Sequence, residues 1–207
     1  MEFITKYIKN LSSRQVGQLE QLLPLYEDWN QKINVISRKD MDSFYVHHVL
    51  HSLSLSCFIQ WNPGTRVIDL GCGGGFPGIP LAILYPENEF TLIDSIAKKI
   101  RVVQAVAEEL GLSNVKAIHT RAEDHKGSCH FVVTRAVAPM AQLLRWSRHL
   151  IAERPVHALP NGLIAYKGGD LKEELREVPK GYFYERWSIY DKIPLEYFEE
   201  KYLVYAS

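Results

Sequence analysis

The chain has 207 residues, of which 46% are hydrophobic and 23% charged, a profile typical of a globular domain with a sizeable core. Its formal net charge of zero gives no general attraction to nucleic acid or membrane, so polyanion binding would need a local basic patch. Three widely separated cysteines argue against a disulfide framework, and neither a signal peptide nor a membrane-spanning run is evident, so we expect a cytoplasmic protein without membrane association.

Apolar residues at helical spacing dominate the N-terminal part of the chain. They predict one helix from Ser13 to about Ile36, which Pro24 would bend, and further helical structure from Met41 to Ile59. We therefore expect a helical cap over residues 1–62 and a main domain over residues 63–207, the two forming one structural unit.

Strands and helices alternate in the main domain. The predicted strands are 67–70, 90–94, 115–119, 131–134 and 163–166, and the predicted helices are 79–84, 97–110 and 140–150. Such alternation predicts a mostly parallel sheet with helices on both faces. Two further strand-like runs, Tyr184–Tyr190 and Lys201–Tyr205, are joined by a connection too short for a crossover helix, which predicts an antiparallel hairpin at the sheet edge.

The run from Val67 to Pro80 has the pattern of a buried strand, a glycine loop and a helix start. Its inner part, Gly73–Gly78, fits the dinucleotide pattern G-x-G-x-x-G, and Asp94 ends the next predicted strand about 20 residues further on. Taken alone, this favours a dehydrogenase. However, Gly71 follows Asp69 by two residues, and the order D-L-G-x-G-x-G resembles motif I of the Rossmann-like S-adenosylmethionine methyltransferases.

If the chain is a methyltransferase, the residues that contact the cofactor are expected at the ends of the strands. The glycine loop would approach the methionine tail, and the carboxylate of Asp94 can accept both ribose hydroxyls. Glu123 follows the third strand and could accept from the adenine amine. The alternatives are a tight turn without a ligand for the loop, and a solvated acidic loop or helix cap for Glu123. The predicted cofactor-binding residues are Gly71, Gly73, Gly75, Phe76, Asp94, Ala122, Glu123 and Arg135.

The fourth strand ends in Thr134–Pro139, at the crevice where a methyl acceptor should meet the cofactor. Enzymes that methylate exocyclic amines resemble one another in having Asn or Asp, then Pro-Pro and an aromatic residue here, whereas this chain has Arg135. Cytosine-C5 enzymes need a nucleophilic cysteine, and Cys129 lies before the strand. An acceptor that needs no deprotonation remains, and N7 of guanine fits this requirement.

Arg135 is the predicted catalytic residue, with a positioning role and no general base beside it. Its planar guanidinium suits a guanine edge or the cofactor carboxylate equally well. The alternative is an ordinary ion pair with a neighbouring acid. We expect no metal site, because His47 and His51 are one helical turn apart but lack an evident third ligand.

Four basic residues are predicted to contact RNA. Lys98, Lys99 and Arg101 lie near the start of a predicted helix, where cations are unfavourable beside the helix dipole unless an anion compensates them. Lys167 ends the fifth strand and should face the same crevice as Arg135. The alternative for the first three is a solvated helix face.

With these residues identified, most of the chain resembles the bacterial small-subunit ribosomal RNA guanine-N7 methyltransferases, the glucose-inhibited division protein B family. The resemblance is carried by residues 29–34, 47–53, 69–81, 92–95, 98–101, 121–123, 134–139 and 167–168. The segments F-P-G-I-P and R-A-V-A-P are its most specific parts. Two departures are His47, where the family often has Arg, and His51, which replaces the usual Asp.

This resemblance implies a Rossmann-like class I methyltransferase fold, S-adenosyl-L-methionine as cofactor and 16S ribosomal RNA of the small subunit as partner. It implies that Gly71, Phe76, Ala122, Glu123 and Arg135 contact the cofactor, and that the product is 7-methylguanosine near the decoding region. Two other functions stay open. A small-metabolite methyltransferase would act on a free nucleoside, and a ribosome-assembly module would bind RNA without turnover. Nothing in the sequence requires more than a monomer.

Overall fold

A computed structural model describes residues 1–207, with the side chain of Arg38 left undescribed. Its centre is a seven-stranded sheet in the order β3-β2-β1-β4-β5-β7-β6. The strands are β1 (Arg66–Leu70), β2 (Glu89–Asp94), β3 (Val115–His119), β4 (Phe131–Arg135), β5 (Gly162–Gly168), β6 (Tyr184–Ser188) and β7 (Lys201–Ala206). The first five strands run parallel, and β7 pairs antiparallel with both β5 and β6. The predicted parallel sheet and antiparallel edge hairpin are therefore confirmed.

Eight α-helical segments accompany the sheet. They are α1 (Glu2–Tyr7), α2 (Ser13–Lys32), α3 (Arg38–Met41), α4 (His51–Leu53), α5 (Gly78–Leu84), α6 (Ala97–Glu109), α7 (Met140–Ser147) and α8 (Lys172–Arg176). A π-helical turn over Tyr45–Leu50 leads into α4, and 3₁₀ turns cover Ser54–Cys57, Ala122–Asp124, Arg148–Leu150 and Glu196–Phe198. None of these helices, within the described part of the chain, has the length and apolarity needed to cross a bilayer.

The central strands are buried on both faces, as expected for a parallel sheet covered by helices. In β4, Phe131, Val132 and Val133 are all fully buried. Strands β2 and β3 lie on one side of β1, and β4 and β5 lie on the other side. The strand order therefore reverses between β3 and β4. This reversal opens a crevice between the carboxyl ends of β1 and β4, the position at which open α/β sheets bind ligands.

Helix α2 differs from its predicted length for an identifiable reason. A capping box between Ser12 and Gln15 starts the helix, which then continues through Pro24. It ends at Lys32, not near Ile36, because the Asn30 side chain forms hydrogen bonds with the backbone of the residues that follow the helix. Its Oδ1 accepts from the Val35 and Ile36 N–H groups at 2.9 and 3.0 Å, and its Nδ2 donates to the Ile36 carbonyl at 2.7 Å.

The second predicted cap helix is not continuous. The segment Met41–Ile59 contains the π-helical turn, α4 and a 3₁₀ turn in succession. The sequence pattern also missed α1 and α8, which are only six and five residues long.

The cap and the sheet domain share a single hydrophobic cluster. Leu19 and Leu22 of α2 are fully buried in the same cluster as Ile79 of α5 and Val103 of α6. Polar contacts reinforce this packing: Gln18 Nε2 donates to the Leu110 carbonyl at 2.8 Å. We infer that residues 1–62 and 63–207 unfold together.

Replacing Leu22 by Ala tests this inference. The substitution removes a fully buried side chain from α2 and should lower the free energy of unfolding by about 2–5 kcal/mol. Denaturant unfolding followed by circular dichroism and tryptophan fluorescence should still give one coincident transition. Gln21→Ala, at an exposed neighbouring position, should change stability by less than about 0.5 kcal/mol. Two separated transitions in the Leu22 variant would show that the cap is an independent unit.

Candidate active site

A cavity of about 510 Å³ occupies the crevice at the carboxyl ends of the central strands. Its size is within the range of about 300–1,000 Å³ typical of small-molecule sites. Seven of the eight residues predicted to bind the cofactor line it: Gly71, Gly73, Phe76, Asp94, Ala122, Glu123 and Arg135. The eighth, Gly75, belongs to the loop but does not line the cavity.

Glycine is required in the loop for different reasons at different positions. Gly71 and Gly73 have φ angles of +69° and +57°, in the left-handed region that side chains disfavour. A Cβ on Gly71 would lie 2.6 Å from Cγ2 of Val137, whereas one on Gly73 would point into open space. A Cβ on Gly75 would lie 2.7 Å from Ile79 Cγ1. Gly75 therefore serves packing under the loop, while Gly71 and Gly73 leave room in the cavity.

Asp69 anchors the loop from below. It is fully buried, and its Oδ2 accepts from the Gly78 N–H at 2.7 Å, which joins the end of β1 to the start of α5. Its Oδ1 has no hydrogen-bond partner within the described residues. Burial raises the pKa of Asp69 to about 7, with the Gly78 hydrogen bond opposing the shift.

Asp94 combines fixed orientation with remaining hydrogen-bonding capacity. Its Oδ2 accepts from the Gly73 N–H at 2.9 Å and its Oδ1 from the Ile96 N–H at 2.8 Å. Lys99 Nζ lies 4.0 Å from Oδ2. Because each carboxylate oxygen has two lone pairs, both oxygens keep one acceptor position. The arrangement suits recognition of a pair of hydroxyl groups.

The far end of the cavity combines predicted residues with two that the sequence did not identify, Ile96 and Trp146. Ala122 and Glu123 lie on the 3₁₀ turn after β3, and Ile96 and Trp146 line the cavity with them. Ile96 is 41% exposed and presents apolar surface to the cavity. An apolar side chain two residues after Asp94 was the signal that could have found it. Apolar and aromatic surface beside a carboxylate is suited to a planar base with an amine.

Arg135 lies at the opposite side of the cavity from Asp94. Its Nη1 donates to the His47 carbonyl at 3.1 Å and its Nη2 to Nδ1 of His48 at 2.9 Å. The guanidinium also lies over the Phe76 ring, 5.4 Å from its centroid. No carboxylate oxygen of the described residues forms a salt bridge with it, so the ion-pair alternative raised by the sequence is not what the structure contains. Burial lowers the pKa of Arg135.

His48 is a further residue of the cavity wall to which the sequence gave no role. Burial, reinforced by the nearby charge of Arg135, lowers its pKa to about 4, so the ring is neutral near pH 7. The imidazole packs beside Phe76, with 5.1 Å between ring centroids.

The helical cap forms part of the cavity. Tyr26 of α2 is fully buried and donates to the Gly74 carbonyl at 2.5 Å. The segment that Asn30 holds after α2 contributes Val35 and Ile36 to the lining. The glycine loop is thus enclosed by the cap on one side and by the sheet on the other.

The four predicted RNA-binding residues have different environments. Lys99 lines the cavity, whereas Lys98 and Arg101 are exposed on α6 outside it. Lys167 pairs with Oε1 of Glu174 at 2.5 Å and donates to the Ala138 carbonyl at 2.7 Å. The ammonium of Lys167 is therefore engaged within the fold, although it lies next to the loop that follows β4.

His47 and His51 have structural partners, and Cys129 is buried. His47 Nδ1 lies 3.0 Å from Asp40 Oδ1, and its ring stacks on Tyr197 at 3.9 Å. His51 Nδ1 lies 3.3 Å from the Tyr197 hydroxyl, so the two histidines face different atoms. Burial raises the pKa of Cys129 to about 12, which disfavours a thiolate nucleophile.

Tyr26→Phe tests whether the cap positions the glycine loop. The variant loses the hydrogen bond to Gly74, and we expect the affinity for S-adenosylhomocysteine, measured by calorimetry, to fall by roughly 3- to 10-fold. Tyr205→Phe is the matched control, because Tyr205 is also fully buried and donates to the Pro160 carbonyl at 2.7 Å, away from the cavity. The control should lose similar stability and keep its affinity. Equal affinities in both variants would contradict a positioning role for Tyr26.

Comparisons with known proteins identify the family. The family model GidB, described as rRNA small subunit methyltransferase G, matches residues 15–190. The chain is 50% identical over 207 residues to the ribosomal RNA small subunit methyltransferase G of Bacteroides thetaiotaomicron, covering all of both chains. It is also 50% identical over 205 residues to the protein of that name from Flavobacterium johnsoniae, covering 99% of this chain and 97% of the relative.

Solved structures agree on the fold. A crystal structure of a mutant of MtNAS in complex with S-adenosylmethionine superposes with a TM-score of 0.60 at 14% identity, covering 92% of this chain and 75% of that one. At such identity the likeness establishes the Rossmann-like methyltransferase fold alone. The family-model match and the two relatives show that this chain belongs to the GidB family, that of rRNA small subunit methyltransferase G.

Proposed function

We propose that this protein transfers a methyl group from S-adenosyl-L-methionine to N7 of a guanine in 16S ribosomal RNA of the small subunit. The observation that carries the proposal is the single cavity in which Asp94 and Arg135 lie on either side of the glycine loop. S-adenosylmethionine is a nucleoside joined to an amino acid. An acidic group can bind its ribose hydroxyls, and a basic group without an acidic partner can bind its amino-acid carboxylate. We propose that the protein acts as a monomer in the cytoplasm.

The residues present fit this cofactor. Gly71 and Gly73 present no side chains to the cavity, and both carboxylate oxygens of Asp94 can accept hydrogen bonds from hydroxyl groups. Glu123 and Ile96 would hold the adenine, and Phe76 and Arg135 would contact the methionine end. The buried Oδ1 of Asp69 lies beneath the same loop without a hydrogen-bond partner in the described structure.

The proposed chemistry makes few demands on the protein. When bound, S-adenosylmethionine supplies a methyl group on positively charged sulfur; the N7 lone pair forms the new bond as sulfur keeps the electrons of the broken one. No proton is transferred, so no side chain has to act as a base. The residues of this chain have to bind, align and shield the reactants, and alignment alone can account for a large part of the rate.

The acceptor side of the cavity is formed by the loop after β4. Val137 in this loop is 39% exposed and lines the cavity beside Arg135. Ala136 has a φ of +56°, a left-handed conformation uncommon for alanine, and Lys167 holds the loop at the Ala138 carbonyl. A guanine unstacked from the RNA would enter beside this loop.

RNA contacts outside the cavity are assigned to the basic start of α6. Lys98, Lys99 and Arg101 lie there, and the first turn of α6 carries no acidic residue. This local charge would offset the lack of a net positive charge. Lys167 would act by holding the acceptor loop, since its ammonium is already paired with Glu174.

The deciding experiment supplies the protein and labelled cofactor with small subunits that lack this modification. We expect label in 16S ribosomal RNA, and chemical cleavage at 7-methylguanine should locate it at one position. Arg135→Ala should lower turnover by about 100-fold while the melting temperature shows a folded protein. Label on another atom, or none, would overturn the proposal, and wild-type turnover in the variant would show that Arg135 has no positioning role.

Two further arms separate the alternative functions. A small-metabolite enzyme would methylate free guanosine and show no salt-sensitive RNA binding. A ribosome-assembly module would bind small subunits equally well after Asp94→Ala, and that variant would rescue cells that lack the protein. Methylation that depends on Asp94 and on RNA would exclude both.

The basic start of α6 is tested by replacing Lys98 and Arg101 with Gln. If both residues contact phosphate, RNA affinity should fall and the slope of its logarithm against log salt should decrease by about 2. S-adenosylhomocysteine binding should not change. The matched control replaces Arg148 and Lys180, two exposed residues that border a different cavity. An unchanged slope in the α6 variant would place its RNA surface elsewhere.

A further inference from the structure

His48 is the cavity residue that the proposed chemistry leaves unused. It lies in the π-helical turn Tyr45–Leu50, and its Nδ1 is 2.9 Å from Nη2 of Arg135. Single π-helical turns are rare and often occur at functional sites. The same turn presents the His47 carbonyl to Nη1 of Arg135. This turn therefore supplies both hydrogen-bond acceptors that hold the guanidinium.

The contact between Arg135 and His48 determines which ring nitrogen of His48 carries the proton. A guanidinium can only donate, so Nδ1 must accept, and in a neutral imidazole the proton then lies on Nε2. The low pKa of His48, near 4, keeps the ring in this neutral form at physiological pH. Nε2 is buried without a hydrogen-bond partner in the described structure. Because Nε2 has no exposed surface, it cannot reach a ligand in the cavity, and His48 acts on the site through Nδ1.

Arg135 also has unused donors. Of the five N–H groups of a guanidinium, one bonds to the His47 carbonyl and one to His48, while Phe76 covers a face of the group. No described carboxylate forms a salt bridge with it. A buried cation without a counter-charge is costly, which makes this side of the cavity suited to an anion.

The topology indicates which anion would reach Arg135. Asp94 ends β2 and Arg135 ends β4, and these strands lie on either side of β1, so their ends are about 10 Å apart. A nucleoside with its ribose at Asp94 would extend its amino-acid tail across the glycine loop toward Arg135. The anionic group at the end of that tail is a carboxylate. This step rests on the proposed function, since it takes S-adenosylmethionine as the ligand.

We propose that His48 is a positioning residue, which fixes the guanidinium of Arg135 so that it binds the α-carboxylate of the cofactor. Its Nδ1 accepts from Nη2 of Arg135, and its Nε2 is buried away from the ligand. The helical cap and the end of β4 would then together bind the amino-acid end of the cofactor. A ligand that lacks the carboxylate should be bound independently of His48.

Calorimetry with two ligands tests this directly. S-adenosylhomocysteine has the carboxylate, and its decarboxylated analogue lacks it. His48→Phe preserves a ring among Phe44 and Phe76 and removes the acceptor. We expect its affinity for S-adenosylhomocysteine to fall by about 10- to 100-fold and its affinity for the decarboxylated analogue to change by no more than about 3-fold.

His48→Asn is the conservative variant. Its amide oxygen can replace Nδ1 as the acceptor for Arg135, so we expect discrimination between the two ligands to return to within about 5-fold of wild type. His130→Phe is the matched control: His130 is also buried, and its Nδ1 accepts from the Arg66 N–H at 3.0 Å at the opposite end of the strands. The control should retain wild-type discrimination.

Three results would overturn the inference. They are wild-type discrimination in His48→Phe, an equal loss of affinity for both ligands in that variant, and loss of discrimination in a folded His48→Asn. If His48→Phe does not fold, Arg135→Ala, which removes the positive charge, provides the second measurement, and retained discrimination there would exclude the carboxylate as the partner of Arg135. Failure of the wild-type protein to bind either ligand is a different outcome, because it would remove the proposed function itself.

Discussion

The clamping of the glycine loop between two buried hydrogen bonds is the constraint on which the rest of the site depends. Asp69 holds the Gly78 N–H from the sheet side, and Tyr26 holds the Gly74 carbonyl from the cap side. A glycine-rich loop has high conformational entropy in the unfolded chain, so a fixed loop needs such contacts. The cap is consequently part of the site, and its buried apolar face explains why it stays in place.

Much of the fold could be predicted from the sequence, because alternating strands and helices leave few topologies. Strands β1 to β5 lie within two residues of their predicted bounds, as does the edge hairpin. The end of α2 could not be predicted, since the Asn30 side chain competes with the helix for backbone groups. The π-helical turn could not be predicted either, because its apolar spacing differs little from that of an α-helix.

Part of the site could likewise be predicted from the sequence, and part could not. Residues at strand ends, such as Asp94 and Arg135, could be placed in one crevice because parallel strands bring their carboxyl ends together. Wall residues such as Val35 and Trp146 come from segments whose approach depends on tertiary packing. Gly75 follows the same sequence pattern as Gly73, yet its space is filled by Ile79 and not left to the cavity. Pattern alone does not separate these two uses of glycine.

Charge is distributed locally in this molecule. The net charge is zero, yet the cavity has an acidic side at Asp94 and a basic side at Arg135, both in a partly desolvated setting where electrostatic effects are strong. Such a layout allows a ligand with separated charges to be oriented without long-range attraction. The exposed positive charge at the start of α6 then adds a separate surface beside the opening.

The Glu174 carboxylate has a consequence for how this sequence can change. Its Oε1 accepts from the Met140 N–H at 2.8 Å and also pairs with Lys167, which in turn holds the Ala138 carbonyl. A single exchange at either position would leave an unpaired, largely buried charge beside the loop. We therefore expect sequences that remain functional to change Lys167 and Glu174 together. The conformation of the loop between β4 and α7 thus depends on an ion pair that lies outside the cavity.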